Sequence, residues 1–498
     1  MENRLSAEIY ALRIKNFLRH IIITYSQFSI MRIKEIKINN FHCYQQTNFQ
    51  FADRVTILIG KNGSGKSSLI KSIKNALSIF FSNNPLWGYQ TIVGSVSDLS
   101  VANLSLREIW HDNDMKPAEY VDIRITAEKV SYEDGSSDGI PSWSFRKFST
   151  PKSKLQNSYY KNAYKYFREN YTDNTAWPLF VYYSDRYPHI DAKLSDSIKI
   201  MIDNDEKLYR CWGYYHWDKD SSCALIWQER FIRIHNLLFK RQQRFSRIED
   251  KRSKEAVACR KDIEKFTAEI DFVLKYIKKF TSNADSNLSD ITNVLQVTDI
   301  IVDGVNENYL VAYFADGSRR RWDELPAGYE RLYNIVFDIA YRSYILNGPE
   351  CEPQGIVLVD ELDLHLHPSM EQDVLQRLTS TFEHIQFIVS THSPLVISNT
   401  PLGDFGKIIL LRHDGEIYDH TDISDQYGMD YDLVLSAVMD TEPRNAKLEQ
   451  LKGKYLRLMR RKKTELAEET LVAIKSLVAS DDRYQQIAKE LNLDLKED

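Results

Sequence analysis

The chain has 498 residues, of which 43% are hydrophobic and 12% aromatic, so it can bury a large core and is not a disordered polymer. Its net charge of −5 gives no indication of general binding to polyanions, and contact with nucleic acid would require a local basic face. The five cysteines lack paired spacing and the apolar runs are short, which excludes a disulfide framework, a zinc module and a membrane span, and favours a cytoplasmic protein.

The beginning of the chain reads as an extension, two strands and a helix. Residues 1–30 lack the cleavage site of a signal peptide and are interpreted as an N-terminal extension, either a peripheral helix or a segment upstream of a second start at Met31. Alternation in "IKEIKI" predicts a strand at a sheet edge, and the apolar run "VTILIG" predicts a buried strand at the centre. Apolar residues at helical spacing over 66–80 predict a helix.

A glycine-rich loop joins the buried strand to this helix. Its sequence, "GKNGSGKSS", has the spacing of a phosphate-binding loop (P-loop) in the strand, loop, helix context that the motif requires. The glycines let backbone N–H groups turn onto phosphates, Lys66 reaches the β and γ oxygens, and the hydroxyl of Ser67 offers a ligand to Mg²⁺. The predicted ATP-binding residues are Gly60, Lys61, Asn62, Gly63, Ser64, Gly65, Lys66, Ser67 and Ser68.

The middle of the chain changes from strands to long helices. Residues 86–190 favour a β-rich lateral part, with a loop-rich excursion over 131–175. From 227 to 280 the pattern is helical, and residues 229–279 hold fifteen Lys and Arg against eight Asp and Glu, a local net charge of +7. Either this segment is a solvated pair of helices forming an arm, or it contacts a phosphate backbone or a partner.

Two further strands carry chemistry at their ends. The buried strand in "QGIVLVDELD" ends in Asp360, which would hold Mg²⁺ through water, and in Glu361, which would orient or deprotonate the attacking water. The strand in "IQFIVSTHSP" delivers His392 to the same edge, where its imidazole would contact the γ-phosphate.

This order of elements resembles the ABC ATPase superfamily, in the branch of the SMC, RecF and OLD-like proteins. The resemblance implies an α/β head with a mixed sheet, flanking helices and a β-rich lateral part, which closes as a dimer around two ATP molecules with Mg²⁺. It also implies a signature loop that meets the nucleotide of the opposite subunit. The segment "LPAGYERLY" supplies that loop with Leu325, Gly328 and Glu330. Pro326 replaces the usual serine, so slow hydrolysis is expected.

Two smaller features accompany the resemblance. The segment "DLHLHP" from Asp363 is similar to the D-loop of the family, and its histidines His365 and His367 favour interface or helix-start packing over a metal site. In "FVYYSDR", Asp185 and Arg186 occupy the region of the family's lid contacts.

These patterns divide the chain into five segments. They are the extension (1–30), the N-terminal part of the head with the P-loop (31–190), a helical, coiled-coil-like insertion (191–290), the C-terminal part of the head (291–430) and a helical C-terminal extension (431–498).

Four functions remain open within this branch. The chain resembles the PtuA-type ATPases of Septu and retron-associated anti-phage defence systems, which implies a homodimer or higher oligomer, a separate HNH-type nuclease partner, and a retron reverse transcriptase with its DNA. The alternative is a DNA-repair ATPase of RecF or SMC type that clamps DNA with the basic arm. An OLD-type nuclease would need acidic strand ends after His392 that the sequence lacks, and transporter motors lack so long an insertion.

Overall fold

The computed structural model describes residues 31–81, 108–111, 114–131, 137–148, 157–185, 210–218, 224–282, 296–303, 309–415, 417–423, 426–439, 441, 445–478 and 481–491. The chain divides after Gly428 into two compact units, the head and the C-terminal unit. The extension predicted at residues 1–30 lies outside the described residues. Within the described part, helices that are long and apolar enough to cross a bilayer are absent.

The described residues form strands and helices in alternation. The strands are β1 (Ile33–Phe41), β2 (Tyr44–Gln50), β3 (Val55–Ile59), β4 (Glu108–His111), β5 (Asp114–Pro117), β6 (Tyr120–Ala127), β7 (Lys129–Ser131), β8 (Ser137–Gly139), β9 (Trp143–Phe148), β10 (Leu179–Tyr183), β11 (Val297–Asp303), β12 (Tyr309–Phe314), β13 (Arg319–Arg321), β14 (Gln354–Val359), β15 (His384–Ser390), β16 (Gly406–Asp414) and β17 (Ile417–Ile423). The helices are α1 (Lys66–Leu77), α2 (Lys161–Asn170), α3 (Ala224–Arg247), α4 (Lys254–Thr281), α5 (Ala327–Asn347), α6 (Pro368–Glu371), α7 (Val374–Thr381), α8 (Pro394–Asn399), α9 (Tyr431–Leu433, continued by a π-helical turn over Val434–Val438), α10 (Ala446–Arg460), α11 (Thr464–Leu477) and α12 (Asp481–Glu490).

A six-stranded sheet lies at the centre of the head, in the order β10, β14, β15, β3, β16, β17. Its first five strands are parallel, and only β17 runs antiparallel. Strands β3 and β10 are buried along their whole length, as a parallel sheet covered on both faces requires. The prediction of a mixed sheet with flanking helices is confirmed, and β3 lies in the sheet interior as expected.

The lateral part of the head is a separate antiparallel sheet in the order β2, β1, β6, β9. The prediction that "IKEIKI" forms an edge strand is wrong, because β1 pairs with β2 on one side and β6 on the other. Alternation of apolar and polar residues reports which faces of a strand are buried and carries no information about its neighbours.

The loop-rich excursion predicted over 131–175 is also partly wrong, because β9 and α2 form there. Strand β9 pairs with β6, and the indole nitrogen of Trp143 donates to the carbonyl of Ala76 at 2.8 Å. Phe167 of α2 packs against Phe80 and Tyr171. Ala76 and Phe80 are distant in sequence from the residues they contact, so local pattern alone did not reveal either element.

The basic segment forms two helices, α3 and α4, that pack along each other. Their far ends meet at the turn between Arg247 and Lys254 and are exposed. Their near ends are buried against α5, where Arg230 forms an ion pair with Glu269 at 2.9 Å and Tyr341 donates to the same carboxylate. The arm is therefore solvated only over its outer part, and its base belongs to the core of the head.

The C-terminal unit is helical, as predicted for 434–498 in its described residues. Helices α10, α11 and α12 pack around a small core of their own. That core consists of Tyr455, Ala467, Ile474, Ile487 and Leu491. The acidic residues Asp430 and Asp432 lie at the start of α9 and not at the end of a strand.

Candidate nucleotide site

The loop between β3 and α1 has a backbone that only glycine accommodates at its first and last turns. Gly60 has φ 145°, and a Cβ there would lie 2.3 Å from the carbonyl oxygen of Leu411. Gly65 has φ 102°, and its Cβ would lie 2.5 Å from the hydroxyl of Tyr44. The loop therefore turns tightly against β16 and the lateral sheet.

Lys66 lies beneath this loop with 6% of its surface exposed. Its ammonium group donates to the carbonyl oxygens of Gly60 at 2.8 Å and Lys61 at 3.2 Å. Burial lowers the pKa of Lys66, and the nearby Asp360 and Glu361 carboxylates oppose that shift. The ammonium group is thus held against the P-loop backbone, near the carboxylates of Asp360 and Glu361.

The other predicted loop residues differ in exposure. Lys61, Asn62 and Gly63 are exposed, and Ser67 and Ser68 are half-buried in the first turn of α1. The hydroxyl of Ser64 is buried without a hydrogen-bond partner among the described residues. A loop with a buried, unsatisfied hydroxyl and a buried cation fits an anionic ligand that accepts hydrogen bonds.

The acidic residues follow β14, between the ends of β10 and β15. Asp360 is 3% exposed and accepts a hydrogen bond of 2.5 Å from the hydroxyl of Ser390. The backbone N–H of Glu361 donates to the same hydroxyl at 2.8 Å. Glu361 itself has φ 53°, a left-handed conformation that non-glycine residues adopt rarely. The side chain of Glu361 is half-buried. The side chain of Asp360 is held by its hydrogen bond to Ser390 on the neighbouring strand β15.

Several carboxylates gather around Glu361. Burial raises the pKa of Glu361, and the negative charges of Asp360, Asp185 and Asp363 raise it further, while Arg331 lowers it. Asp185 follows β10, directly beside the end of β14. A carboxylate with a raised pKa is a better proton acceptor. The other member of the predicted lid, Arg186, lies outside the described residues.

His392 is positioned by Asp363. The Asp363 carboxylate accepts hydrogen bonds from the Thr391 hydroxyl at 2.6 Å and from the backbone N–H of His392 at 3.2 Å. Burial lowers the pKa of His392, and the charge of Lys66 lowers it further. The imidazole is therefore neutral near pH 7, close enough to Lys66 to sense its charge, and able to donate to a phosphate oxygen.

The order of the sheet explains why these residues meet. Strands β14, β15 and β3 are adjacent and parallel, so their carboxyl ends deliver Asp360, His392 and the P-loop to one edge. The hydroxyl of Ser67 and the carboxylate of Asp360 are oxygen donors of the kind that Mg²⁺ prefers. The site therefore combines anion-binding and cation-binding groups, as a Mg²⁺-nucleotide requires.

The predicted signature loop lies at the start of α5 and packs on the turn that follows Glu361. Leu325 is buried, Pro326 precedes α5, and Glu330 lies in its first turn, where burial and Asp323 raise the pKa of the carboxyl group. Gly328 packs so closely on the turn after β14 that a Cβ would lie 2.7 Å from the carbonyl oxygen of His365. Within one chain, then, the loop rests on the turn that follows Glu361.

The histidines of "DLHLHP" have structural contacts. His367 precedes α6, and its Nδ1 accepts from the backbone N–H of Ser369 at 3.3 Å. Among the described residues, clusters of three or more His, Cys, Asp and Glu that could hold a metal ion are absent. His367 thus lies at the start of a helix, which is one of the two packing roles expected for these histidines.

Sequence reasoning missed two residues of the site, Ser390 and Arg331. Ser390 ends β15 and bonds both Asp360 and Glu361, and a small polar residue at the end of a strand beside the acidic strand is the pattern that indicates it. Arg331 donates to backbone carbonyls on either side of Glu361. A basic residue in a helix has no such distinguishing pattern.

Comparison with known proteins gives one family match and several relatives. A family model described as an AAA ATPase domain matches residues 31–397. The chain is 26% identical over 400 residues to a retron Vc95 probable ATPase from Vibrio cholerae serotype O1 biovar El Tor, covering 74% of this chain and 71% of that protein. It is 27% identical over 169 residues to the Septu protein PtuA of Bacillus mycoides, covering 32% of this chain and 23% of that protein.

A solved structure is similar over much of the chain. It is the crystal structure of an SMC head bound to the C-terminal winged-helix domain of ScpA, with 15% sequence identity and a TM-score of 0.40. The match covers 79% of this chain and 97% of that one.

Proposed function

The chain belongs to the AAA ATPase domain family, and on that premise we propose that it binds ATP with Mg²⁺, hydrolyses it slowly, and uses the cycle to control a separate nuclease in an anti-phage defence complex. The observation that carries this proposal is that adjacent parallel strands bring Lys66, Asp360 and His392 to one edge of the central sheet. The names of the retron and Septu relatives support the defence context.

Each residue of the site has a proposed role in this cycle. The N–H groups of the P-loop and Lys66 bind the phosphates, and Ser67 and Asp360 hold Mg²⁺. Glu361 orients or deprotonates the attacking water, and His392 contacts the γ-phosphate. Bound Mg²⁺ would neutralise the charge that develops on the phosphate oxygens.

The dimer places the signature loop on the nucleotide of the other subunit. In the proposed dimer, Leu325, Gly328 and Glu330 of one head meet the γ-phosphate held by its partner, since no side chain of the described residues caps the start of α5 and helix N-termini bind anions. Pro326 contributes neither a side-chain hydroxyl nor an N–H group, so turnover is slow. ATP favours the closed dimer because it contacts both heads only in that state.

The C-terminal unit offers a surface for the nuclease partner. Arg457, Arg460 and Arg461 are exposed at the end of α10, beside the exposed apolar side chains of Leu456 and Met459. Arginine and methionine are enriched in protein interfaces, and a basic and apolar face matches an acidic partner surface with apolar anchors. The core of the unit uses none of these five side chains.

Removal of this surface is predicted to release the partner. We expect deletion of residues 441–498, or replacement of Arg457, Arg460 and Arg461 by glutamate, to reduce partner recovery in a tagged pull-down about tenfold or more, because a reversed charge repels an acidic surface. The control is glutamine at the exposed Glu468 and Glu469 of α11. Full recovery of the nuclease with the deleted chain would refute this role.

The direct test of the proposal is co-expression with the genes that flank this one. Purification through a tag on this chain should recover an HNH-type nuclease or a reverse transcriptase with its DNA, and the eluate should cut DNA in a nucleotide-dependent manner. Recovery of this chain alone, with ATPase activity stimulated by DNA, would contradict the defence proposal and support a DNA-repair clamp.

The exposed end of the arm favours nucleic-acid contact as a second function. Arg247, Arg252 and Lys254 surround the turn between α3 and α4, and all three are exposed. In a clamp they would contact phosphates without reading sequence.

Charge reversal at this turn gives a measurable prediction. Replacing Arg247, Arg252 and Lys254 by glutamate should weaken binding to a DNA duplex and reduce the slope of log affinity against log salt by about three, since each phosphate contact contributes about 0.9. Fluorescence anisotropy at several salt concentrations measures both quantities. Unchanged affinity and slope would exclude the arm as a DNA contact. The control is replacement of the exposed Lys161 and Lys165 of α2 by glutamate, which should leave both quantities unchanged.

A further inference from the structure

Arg331 is a fully buried arginine in the second turn of α5, with 0% of its surface exposed. A buried guanidinium group is unfavourable unless polar groups satisfy its donors. Here its Nη1 donates to the carbonyl oxygen of Leu364 at 2.8 Å and its Nη2 to that of Asp360 at 3.3 Å. A leucine or methionine would fill this space equally well. The hydrogen-bond donors of the guanidinium group are therefore the property that distinguishes Arg331 from an apolar residue.

The two carbonyls lie on either side of Glu361. Asp360 precedes it, Leu364 follows three residues later, and the backbone N–H of Leu364 donates to the carbonyl of Glu361 at 3.1 Å. Glu361 has φ 53°, so its turn is held in a conformation that an unsupported glutamate would leave. The forked guanidinium of Arg331 fixes both ends of that turn at once, which a single ammonium group would not do.

The same helix carries the loop that meets the opposite nucleotide. Gly328 lies three residues before Arg331, and its close approach to the carbonyl of His365 leaves no room for even a methyl group. The start of α5 and the turn after β14 are therefore in direct backbone contact at Gly328 and hydrogen-bonded at Arg331. A displacement of the loop by a phosphate reaches Glu361 through these contacts.

We infer that Arg331 is a positioning residue that links the loop over 325–330, facing the partner's nucleotide, to the carboxylate of Glu361 in its own chain. This inference rests on the proposed function of Glu361 in ATP hydrolysis. Through Arg331, binding of the opposite nucleotide then changes the rate of hydrolysis in this site.

Two variants separate the donors of Arg331 from its volume and charge. Arg331→Met keeps the length and removes every donor, and we expect kcat for ATP to fall about 100-fold, as for a misplaced catalytic group. Arg331→Lys keeps the charge with one donor centre, and we expect a fall of about tenfold. The affinity for ATP in both should stay within about threefold of the parent, since the two hydrogen bonds of Arg331 given above go to backbone carbonyl groups of the turn around Glu361.

A double-variant cycle tests whether Arg331 acts through Glu361. In a Glu361→Gln background, Arg331→Met should cause little further loss of kcat, because the group that it positions is already absent. An additional loss close to 100-fold would overturn the inference, and so would a loss of ATP affinity equal to the loss of kcat. If Arg331→Met does not fold, the test rests on Arg331→Lys. A parental kcat in Arg331→Lys would also overturn the inference.

Failure of this inference and failure of the proposed function give different results. If Glu361→Gln alone keeps full ATPase activity, the role of Glu361 is wrong. If Glu361→Gln loses activity while both Arg331 variants keep it, only the positioning role of Arg331 is wrong.

Discussion

Lys66→Ala is expected to weaken ATP binding by about 30-fold to several-thousand-fold relative to the parent protein. The ammonium group of Lys66 is buried under the loop and donates to two loop carbonyls, so it is already oriented before phosphate arrives. Loss of one partner from a buried, hydrogen-bonded charge pair costs about 2 to 5 kcal/mol, and each 1.4 kcal/mol is tenfold in affinity. Equilibrium binding of a fluorescent ATP analogue measures the change.

A matched control exists on the same helix. Lys71 is exposed on α1, and Lys71→Ala should bind ATP within about threefold of the parent. Unfolding temperatures of both variants show whether the fold is intact. Tight ATP binding by a folded Lys66→Ala protein would remove Lys66 from the phosphate site and weaken the interpretation of the whole loop.

Glu361→Gln is expected to reduce kcat for ATP hydrolysis by about 10² to 10⁴-fold, the usual contribution of a general base. The amide is nearly the same size and keeps the backbone bond to Ser390, but it does not accept a proton from water. ATP affinity should stay within about threefold, since Lys66 and Ser67 are unchanged. Single-turnover hydrolysis of radiolabelled ATP separates the chemical step from nucleotide release.

The control for Glu361 is an exposed acid away from the site. Glu350→Gln, in the turn after α5, should keep parental kcat. A Glu361→Gln protein that hydrolyses ATP at the parental rate would require another base, and Asp185 and Asp363 are candidates because their charges act on the pKa of Glu361.

The elements that carry the site were predictable because each has a strong local pattern. The spacing of Gly60, Gly65 and Lys66 is specific to one loop geometry, and the apolar runs before Asp360 and His392 identify buried strands. Parallel strands place their carboxyl ends at one edge, so motif order alone was enough to bring these residues together.

The rest depended on contacts between distant parts of the chain. The neighbours of β1 are set by pairing with β6, more than 80 residues later, and no local pattern specifies them. Ser390 and Arg331 act through hydrogen bonds to β14 and its turn, where only tertiary structure brings them. The burial of the arm's base against α5 likewise follows from Arg230 and Glu269 meeting across two helices.

The most direct test of ATP-driven closure is the mass of the Glu361→Gln protein in solution, measured by light scattering with Mg²⁺ and either ATP or ADP. The chain mass is 58.3 kDa, and the proposed switch predicts that ATP doubles the mass of the particle seen with ADP, because hydrolysis no longer reopens the dimer. The same variant carrying Lys66→Ala should stay at the ADP value. An identical mass with ATP and ADP would contradict nucleotide-driven dimerisation as the basis of this protein's function.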